Sequence, residues 1–297
     1  MASMITGQFS EDILGNKNIL MINLLKKVYR LNKKAFNEYK SKDSLHPKTG
    51  ISERERKRLQ NYPALTGGNV KLFGKPFHFT DAPGFLHSLD EIFADEIYKF
   101  TTDKDNPYII DCGANMGLSI LYFKKLYPKS EIVGFEPDEY TFNILQRNTL
   151  EYNDSVKLHK KAVWTENTEL TFYSEGSLAG SVVVDFSNKN NTKRVTAIDF
   201  KKYLDQEVDF LKIDIEGAEN DLIFDIKDHL VNVNKLFLEY HGIIGETQNL
   251  GNILNLLTDK GFEYYIRLAG ETISLPFCDE KPSSFNQQLN ILCYRKK

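Results

Sequence analysis

Four short strings in this 297-residue chain set polar side chains where an apolar run stops, and they are the places where chemistry could occur. The first, Asp111-Cys112-Gly113-Ala114-Asn115-Met116-Gly117, follows the apolar Tyr108-Ile109-Ile110. Gly113 and Gly117 let the backbone turn sharply and approach a ligand, and a helix opening at Leu118, with Ser119 in its first turn, offers unpaired amides. The spacing is G-x-x-x-G with an aspartate two residues ahead, not the G-x-G-x-x-G that cradles a pyrophosphate. An acidic strand end beside a helix N-terminus matches a ligand carrying both an ammonium group and a carboxylate, and S-adenosylmethionine carries both. The second string, Phe135-Glu136-Pro137-Asp138, puts Glu136 23 positions beyond Gly113. A carboxylate there can accept two hydrogen bonds from a ribose diol. Adenine is then expected against Ala162 and Val163, read by backbone amides.

The third string is Lys212-Ile213-Asp214-Ile215-Glu216-Gly217 and the fourth Glu239-Tyr240-His241. Strand alternation sets Lys212 with Asp214, and Glu239 with His241, on one side. Methyl transfer is an in-line displacement in which the protein aligns the acceptor and removes its proton. His241 is the expected base. Asp214 and Glu239 are expected as orienting acids or as ligands for a divalent cation, Mg²⁺ by oxygen chemistry, although no dense carboxylate cluster demands one. The structural alternative is that Glu239 and His241 satisfy each other or the backbone. The Gly176–Ser181 loop has hydroxyls suited to an acceptor's polar groups, and is equally readable as a plain turn.

These positions need a scaffold. From Asn106 onward strands alternate with helices, the pattern of a parallel sheet with crossovers. Strands are expected at Tyr108–Cys112, Glu131–Phe135, Val156–Ala162, Phe210–Asp214, Lys235–Tyr240, Glu263–Leu268 and Leu289–Tyr294. Leu118, Leu121, Tyr122 and Leu126 share a helical face, as do Ala218, Leu222, Ile223, Ile226 and Leu230. Between them, Glu169–Tyr173, Val182–Val184 and Val195–Ala197 read as short strands. The expected fold is a doubly wound, mostly parallel, Rossmann-like α/β sheet over residues 106–297. Ahead of it, 70–105 reads as a small cap: apolar runs Val70–Phe73 and Phe77–Phe79 around Gly74-Lys75-Pro76, then a helix from Ser88 to Phe100. Residues 1–69 read as a helical extension and linker, with a basic amphipathic helix over 19–39.

Composition narrows the class further. The first 60 residues hold 13 Lys/Arg against 6 Asp/Glu, leaving 25 against 35 for the rest. The basic head suits an anionic lipid surface, docking on the body or a homodimer contact, whereas the acidic remainder has nothing resembling a nucleic-acid groove. No run of about 18 apolar residues or signal peptide is evident. Three cysteines without a CxxC pair fit a reducing compartment, so the cytoplasm is expected.

The strings IIDCGANMGLSILYF, VGFEPDEYTFNIL, KAVW and, above all, VDFLKIDIEGAE followed by LFLEYH resemble the FkbM-type methyltransferases over residues 70 to 297. The resemblance implies a class I methyltransferase fold, S-adenosylmethionine as donor, and O-methylation of a hydroxyl on a sugar, glycan precursor or secondary metabolite. It implies cofactor contacts at Asp111, Gly113, Asn115, Gly117 and Glu136, with Ala114, Ser119 and Pro137 alongside. Competing readings are a non-catalytic methyltransferase-like binding module and an NAD-dependent enzyme, the latter disfavoured by the missing G-x-G-x-x-G.

Overall fold

The computed structural model describes residues 43–174, 180–181, 192–270, 273–278 and 285–295, with Lys27, Arg30 and Lys33 of the head. Most of the expected basic helix over 19–39 and the expected strand Val182–Val184 therefore lie outside the described residues.

The cap comes first. Helix α1 (Glu53–Gln60) starts where the Ser52 hydroxyl accepts from the Glu55 amide, with acids in its first turn and Lys57 and Arg58 in its last, matching the helix dipole. Strands β1 (Gly68–Leu72) and β2 (Lys75–Phe79) form an antiparallel hairpin. Its two turn residues, Phe73 and Gly74, both have positive φ, the mirror-image turn that suits strand twist. Helix α2 spans Ala82–Leu89 and runs into a π-helical turn over Asp90–Ala94. The helix expected from Ser88 to Phe100 thus begins six residues earlier and ends six earlier. Asp81 caps it by accepting from the Gly84 amide and Pro83 fits its first turn, while Glu96 at φ 54° breaks it beyond the π-turn.

The main sheet contains β3 (Tyr108–Cys112), β4 (Glu131–Phe135), β5 (Val156–His159), β10 (Phe210–Ile213), β11 (Lys235–Ile243), β12 (Glu263–Gly270) and β13 (Phe285–Tyr294). Its order is β12-β13-β11-β10-β3-β4-β5. The five strands from β5 to β11 are parallel and β13 runs antiparallel to both its neighbours. Strand order reverses between β3 and β10, the switch point at which α/β sheets bind ligands. A second sheet, ordered β6-β9-β7-β8, comprises β6 (Ala162–Trp164), β7 (Thr168–Ser174), β8 (Gly180–Ser181) and β9 (Thr192–Asp199).

Two expected boundaries move for physical reasons. Val156–Ala162 is not one strand: Lys160 and Lys161 interrupt it, and β6 pairs with β9 instead of continuing in the main sheet. Strand β11 reaches three residues past Tyr240 because β13, itself longer than expected, ladders with it as far as Ile243.

Four helices complete the layers: α3 (Leu118–Leu126), α4 (Glu139–Thr149), α5 (Glu219–Asp225) and α6 (Leu250–Asp259). One sheet face, through Ile109, Phe210 and Phe237, shares its apolar core with Phe123 of α3 and with the cap residues Ile51, Leu59, Phe77, Phe79 and Phe85. The other face packs Ile110, Leu211 and Leu238 against Leu222, Ile253 and Leu257. The cap is therefore a layer of the same core. Among the described residues no helix is long and apolar enough to cross a membrane.

Candidate active site

The turn after β3 is built on close approach. Gly113 has φ 86°, and a Cβ on it would lie 2.0 Å from the Asp214 carbonyl oxygen, so any side chain would force the ends of β3 and β10 apart. Gly117, at φ 95°, opens α3 without a side-chain cap, leaving the helix amides for a ligand.

Glu136 follows β4 and is buried. Its carboxylate accepts from the Asn115 amide at 3.1 Å and the Asp138 amide at 2.9 Å. Burial pushes its pKa up to about 7 in spite of those two amides. Asp138 behaves oppositely: burial would raise it, but Lys193, 2.8 Å away, and Thr141 hold it below its ordinary value.

Lys212 joins the strand ends. It is buried, donates to the Gly113 carbonyl at 2.8 Å, and lies 3.3 Å from both Asp111 and Asp214. Burial alone would lower its pKa, yet the two aspartates raise it well above the ordinary value. Past β10 the chain turns through Glu216 (φ 56°) and Gly217 (φ 103°). A non-glycine residue in the left-handed region costs of order 1–3 kcal/mol and persists only where its surroundings enforce it. The Ser181 hydroxyl helps to enforce it by donating to the Glu216 carbonyl at 2.6 Å.

His241 is fully buried. Its Nδ1 lies 2.7 Å from Glu219 Oε1, an oxygen that also accepts from the His241 amide. Its Nε2 faces Glu216 at 3.5 Å, Glu239 at 3.7 Å and the Gln288 amide nitrogen at 3.3 Å. Burial would lower its pKa, but Glu219 first and then Glu216 and Glu239 raise it to about 10. Glu239 is itself raised to about 8, by burial and then by Asp214.

A cleft of about 340 Å³ runs across the switch point. Gly113, Ala114, Asn115, Ser119, Glu136, Pro137, Ala162, Val163 and Asp214 all line it, as the sequence leads one to expect. Four other expected residues do not. Asp111 is wholly buried, holding Ser119 and Lys212 rather than facing the cleft. Gly117 packs against Leu145. Glu239 and His241 are not among the residues that line the cleft, and the carboxylates around the His241 ring favour its protonated form over the free base expected from the sequence. Sequence reasoning missed Ser88, Ile92 and Tyr98 of the cap, Phe172 and Lys193 of the second sheet, and Lys212. Only Lys212 carried a signal, a charge in an apolar strand.

Strand order, the glycine turn and the buried acid after β4 together define a class I methyltransferase. The chain belongs to the FkbM methyltransferase family: the family described as Methyltransferase FkbM domain matches residues 111–264. It is 30% identical over 206 residues to Methyltransferase 1 of Beauveria bassiana (strain ARSEF 2860), covering 60% of this chain and 80% of that protein. It is 28% identical over 218 residues to Methyltransferase sdnD of Sordaria araneosa, covering 58% and 80%. It is 24% identical over 158 residues to 2-O-methyltransferase NoeI of Sinorhizobium fredii (strain NBRC 101917 / NGR234), covering 46% and 65%.

Proposed function

We propose that this methyltransferase moves a methyl group from S-adenosylmethionine to a hydroxyl oxygen of a small polar acceptor, a sugar, a glycan precursor or a secondary metabolite. One observation carries the reading. One cleft is lined both by the cofactor-type turn and acid, Gly113, Asn115 and Glu136, and by Asp214 and Glu216 with the cap residues Ser88, Ile92 and Tyr98. Carboxylates such as Asp214 and Glu216 suit hydroxyl donors, and the 2-O-methyltransferase among the relatives is in keeping with an oxygen acceptor.

S-adenosylmethionine supplies an electrophilic methyl group on a sulfonium that leaves readily. Glu136 would accept from the ribose hydroxyls, the amides opening α3 would face the amino-acid carboxylate, and Ala162 and Val163 would border the adenine. Asp214, held by Lys212, would take the hydrogen bond of the acceptor hydroxyl, turn a lone pair toward the methyl group and draw off the proton as the bond forms. Positioning of this kind supplies much of the rate in an in-line displacement. His241 and Glu219 would fix the turn that presents Asp214 and Glu216.

The test is purified protein incubated with methyl-labelled S-adenosylmethionine against nucleotide sugars, glycan fragments and small phenols, with products read by mass spectrometry. A product labelled at oxygen is expected. Labelling at nitrogen or carbon, or tight cofactor binding without turnover over the panel, would refute the O-methyltransferase reading; the second outcome would point to a binding module.

A further inference from the structure

Behind the wall that Asp214 and Glu216 present to the cleft stands a set of donors larger than an acceptor hydroxyl needs. One ligand atom each from Asp214, Glu216 and His241 lies within 4.8 Å of the others, and Glu239 Oε1 is 3.7 Å from the same histidine nitrogen. The Nε2 separations of 3.5 and 3.7 Å from Glu216 and Glu239 are too long for good hydrogen bonds. They lie near the edge lengths, roughly 3.0–3.4 Å, of a polyhedron whose donors sit about 2.1 Å from a shared ion.

Two independent features point to a ligand. The first is the histidine: it is completely buried, and a buried carboxylate, Glu219, holds its Nδ1 at 2.7 Å and so directs Nε2 into the cluster. Carboxylate on one ring nitrogen and ion on the other is the arrangement that orients metal-binding histidines. The second is Asn290, 4% exposed, whose side-chain oxygen has no hydrogen-bond partner among the described residues. The β11–β13 register sets Asn290 opposite Glu239 and Gln288 opposite His241, so all four stand on one face of the sheet. Charge points the same way. Asp214, Glu216, Glu219 and Glu239 are met by His241 and by Lys212, which is shared with Asp111.

We propose that Asp214, Glu216 and His241, completed by Glu239, bind a transition-series divalent cation beside the cleft. One imidazole among carboxylates suits Mn²⁺ or Zn²⁺, whereas Mg²⁺, expected from carboxylates alone, prefers an all-oxygen shell. The proposal rests on the methyl-transfer reading for its role: of the four ligands, Asp214 and Glu216 line the cleft, so the ion would stand beside the acceptor's oxygen and favour its ionisation.

The test is Mn²⁺ binding by the full chain, stripped with chelator and dialysed, followed by electron paramagnetic resonance of free Mn²⁺ without S-adenosylmethionine. One equivalent is expected to bind with a dissociation constant below about 100 μM, displaced by Zn²⁺, and Asp214→Asn and His241→Ala are each expected to weaken it at least about tenfold. Circular dichroism checks the folding of both variants, and the conservative Asp214→Asn decides the matter if His241→Ala does not fold. Absence of saturable Mn²⁺ and Zn²⁺ uptake up to 1 mM, or uptake unchanged in Asp214→Asn, overturns the proposal. Glu136→Gln separates the two readings, since it is expected to keep Mn²⁺ affinity while losing S-adenosylmethionine affinity. Mn²⁺ uptake by a wild-type chain that binds no S-adenosylmethionine would sink the functional reading and leave the cation site standing.

Discussion

At Glu136, burial and two backbone amides act in opposite directions on one carboxyl, and burial wins, leaving a pKa of about 7. A ribose diol donates hydrogen bonds, so it needs the ionised form, whose fraction grows as pH rises through that value. S-adenosylmethionine affinity is therefore expected to fall about tenfold between pH 8 and pH 6. Glu136→Gln should remove that pH slope and weaken binding by roughly 1.5–3 kcal/mol at pH 8, the value of a hydrogen bond to a charged group. Calorimetry at pH 6, 7 and 8 checks both; an equal slope in the variant would move the ribose elsewhere. Asp214 makes the complementary case. Asp214→Asn keeps the shape of the cleft but loses the proton acceptor, so turnover should fall roughly 10²–10⁴-fold, with S-adenosylmethionine affinity within about threefold, under roughly 0.7 kcal/mol. Wild-type turnover in that variant would leave alignment alone as the source of rate.

The glycine turn and the cap are elements whose importance is structural before it is chemical. Gly113→Ala adds a Cβ at 2.0 Å from the Asp214 carbonyl and at φ 86°. Left-handed strain of about 1–2 kcal/mol and overpacking of about 1–3 kcal/mol should both appear in chemical denaturation, together with lost cofactor binding. Unchanged stability would mean that the ends of β3 and β10 are further apart. Phe85→Ala, in the shared core, should lose about 3–5 kcal/mol, although a cap merely resting on the sheet would tolerate it. The same elements show what could be read in sequence. Apolar runs and alternation located every main-sheet strand, and the residues just after them, Gly113, Glu136 and Asp214, do line the cleft. Side-chain partnerships were not legible, because they depend on distance across the fold. Asp111 looked like a ligand contact only while Lys212, 101 positions later, was not known to be its neighbour. His241 was legible as a titratable strand-end residue, but not its carboxylate partner Glu219 on another element, nor its place off the cleft lining. The cap's contribution was hidden for a related reason: a π-turn leaves no periodic signature by which Ile92 could be assigned to the cleft.

For the molecule as a whole, the division between basic head and acidic body has a definite place. Thr49 and Ile51 are 2% and 1% exposed, and Lys48 donates to the Ala94 carbonyl at 2.7 Å, so the chain is already part of the packed body by the late forties. The cleft-lining residues all come after Leu86. Lys27, Arg30 and Lys33 are exposed, and exposed cations contribute little to folding while attracting polyanions at low salt. Removal of residues 1–40 is therefore expected to leave the melting temperature within a few degrees and S-adenosylmethionine affinity within about threefold, whereas removal of 1–52 should unfold the cap by withdrawing Ile51 and the Ser52 helix cap. We propose an anionic surface as the partner of the head. Flotation with anionic liposomes should then recover the full chain at low salt, lose it at about 0.5 M salt as screening shortens to a few ångströms, and recover none of the 41–297 protein at either. Equal flotation of both proteins would assign membrane contact to the body, and a 1–40 deletion that abolished cofactor binding would show that the head completes the cleft, in the same chain or across a dimer.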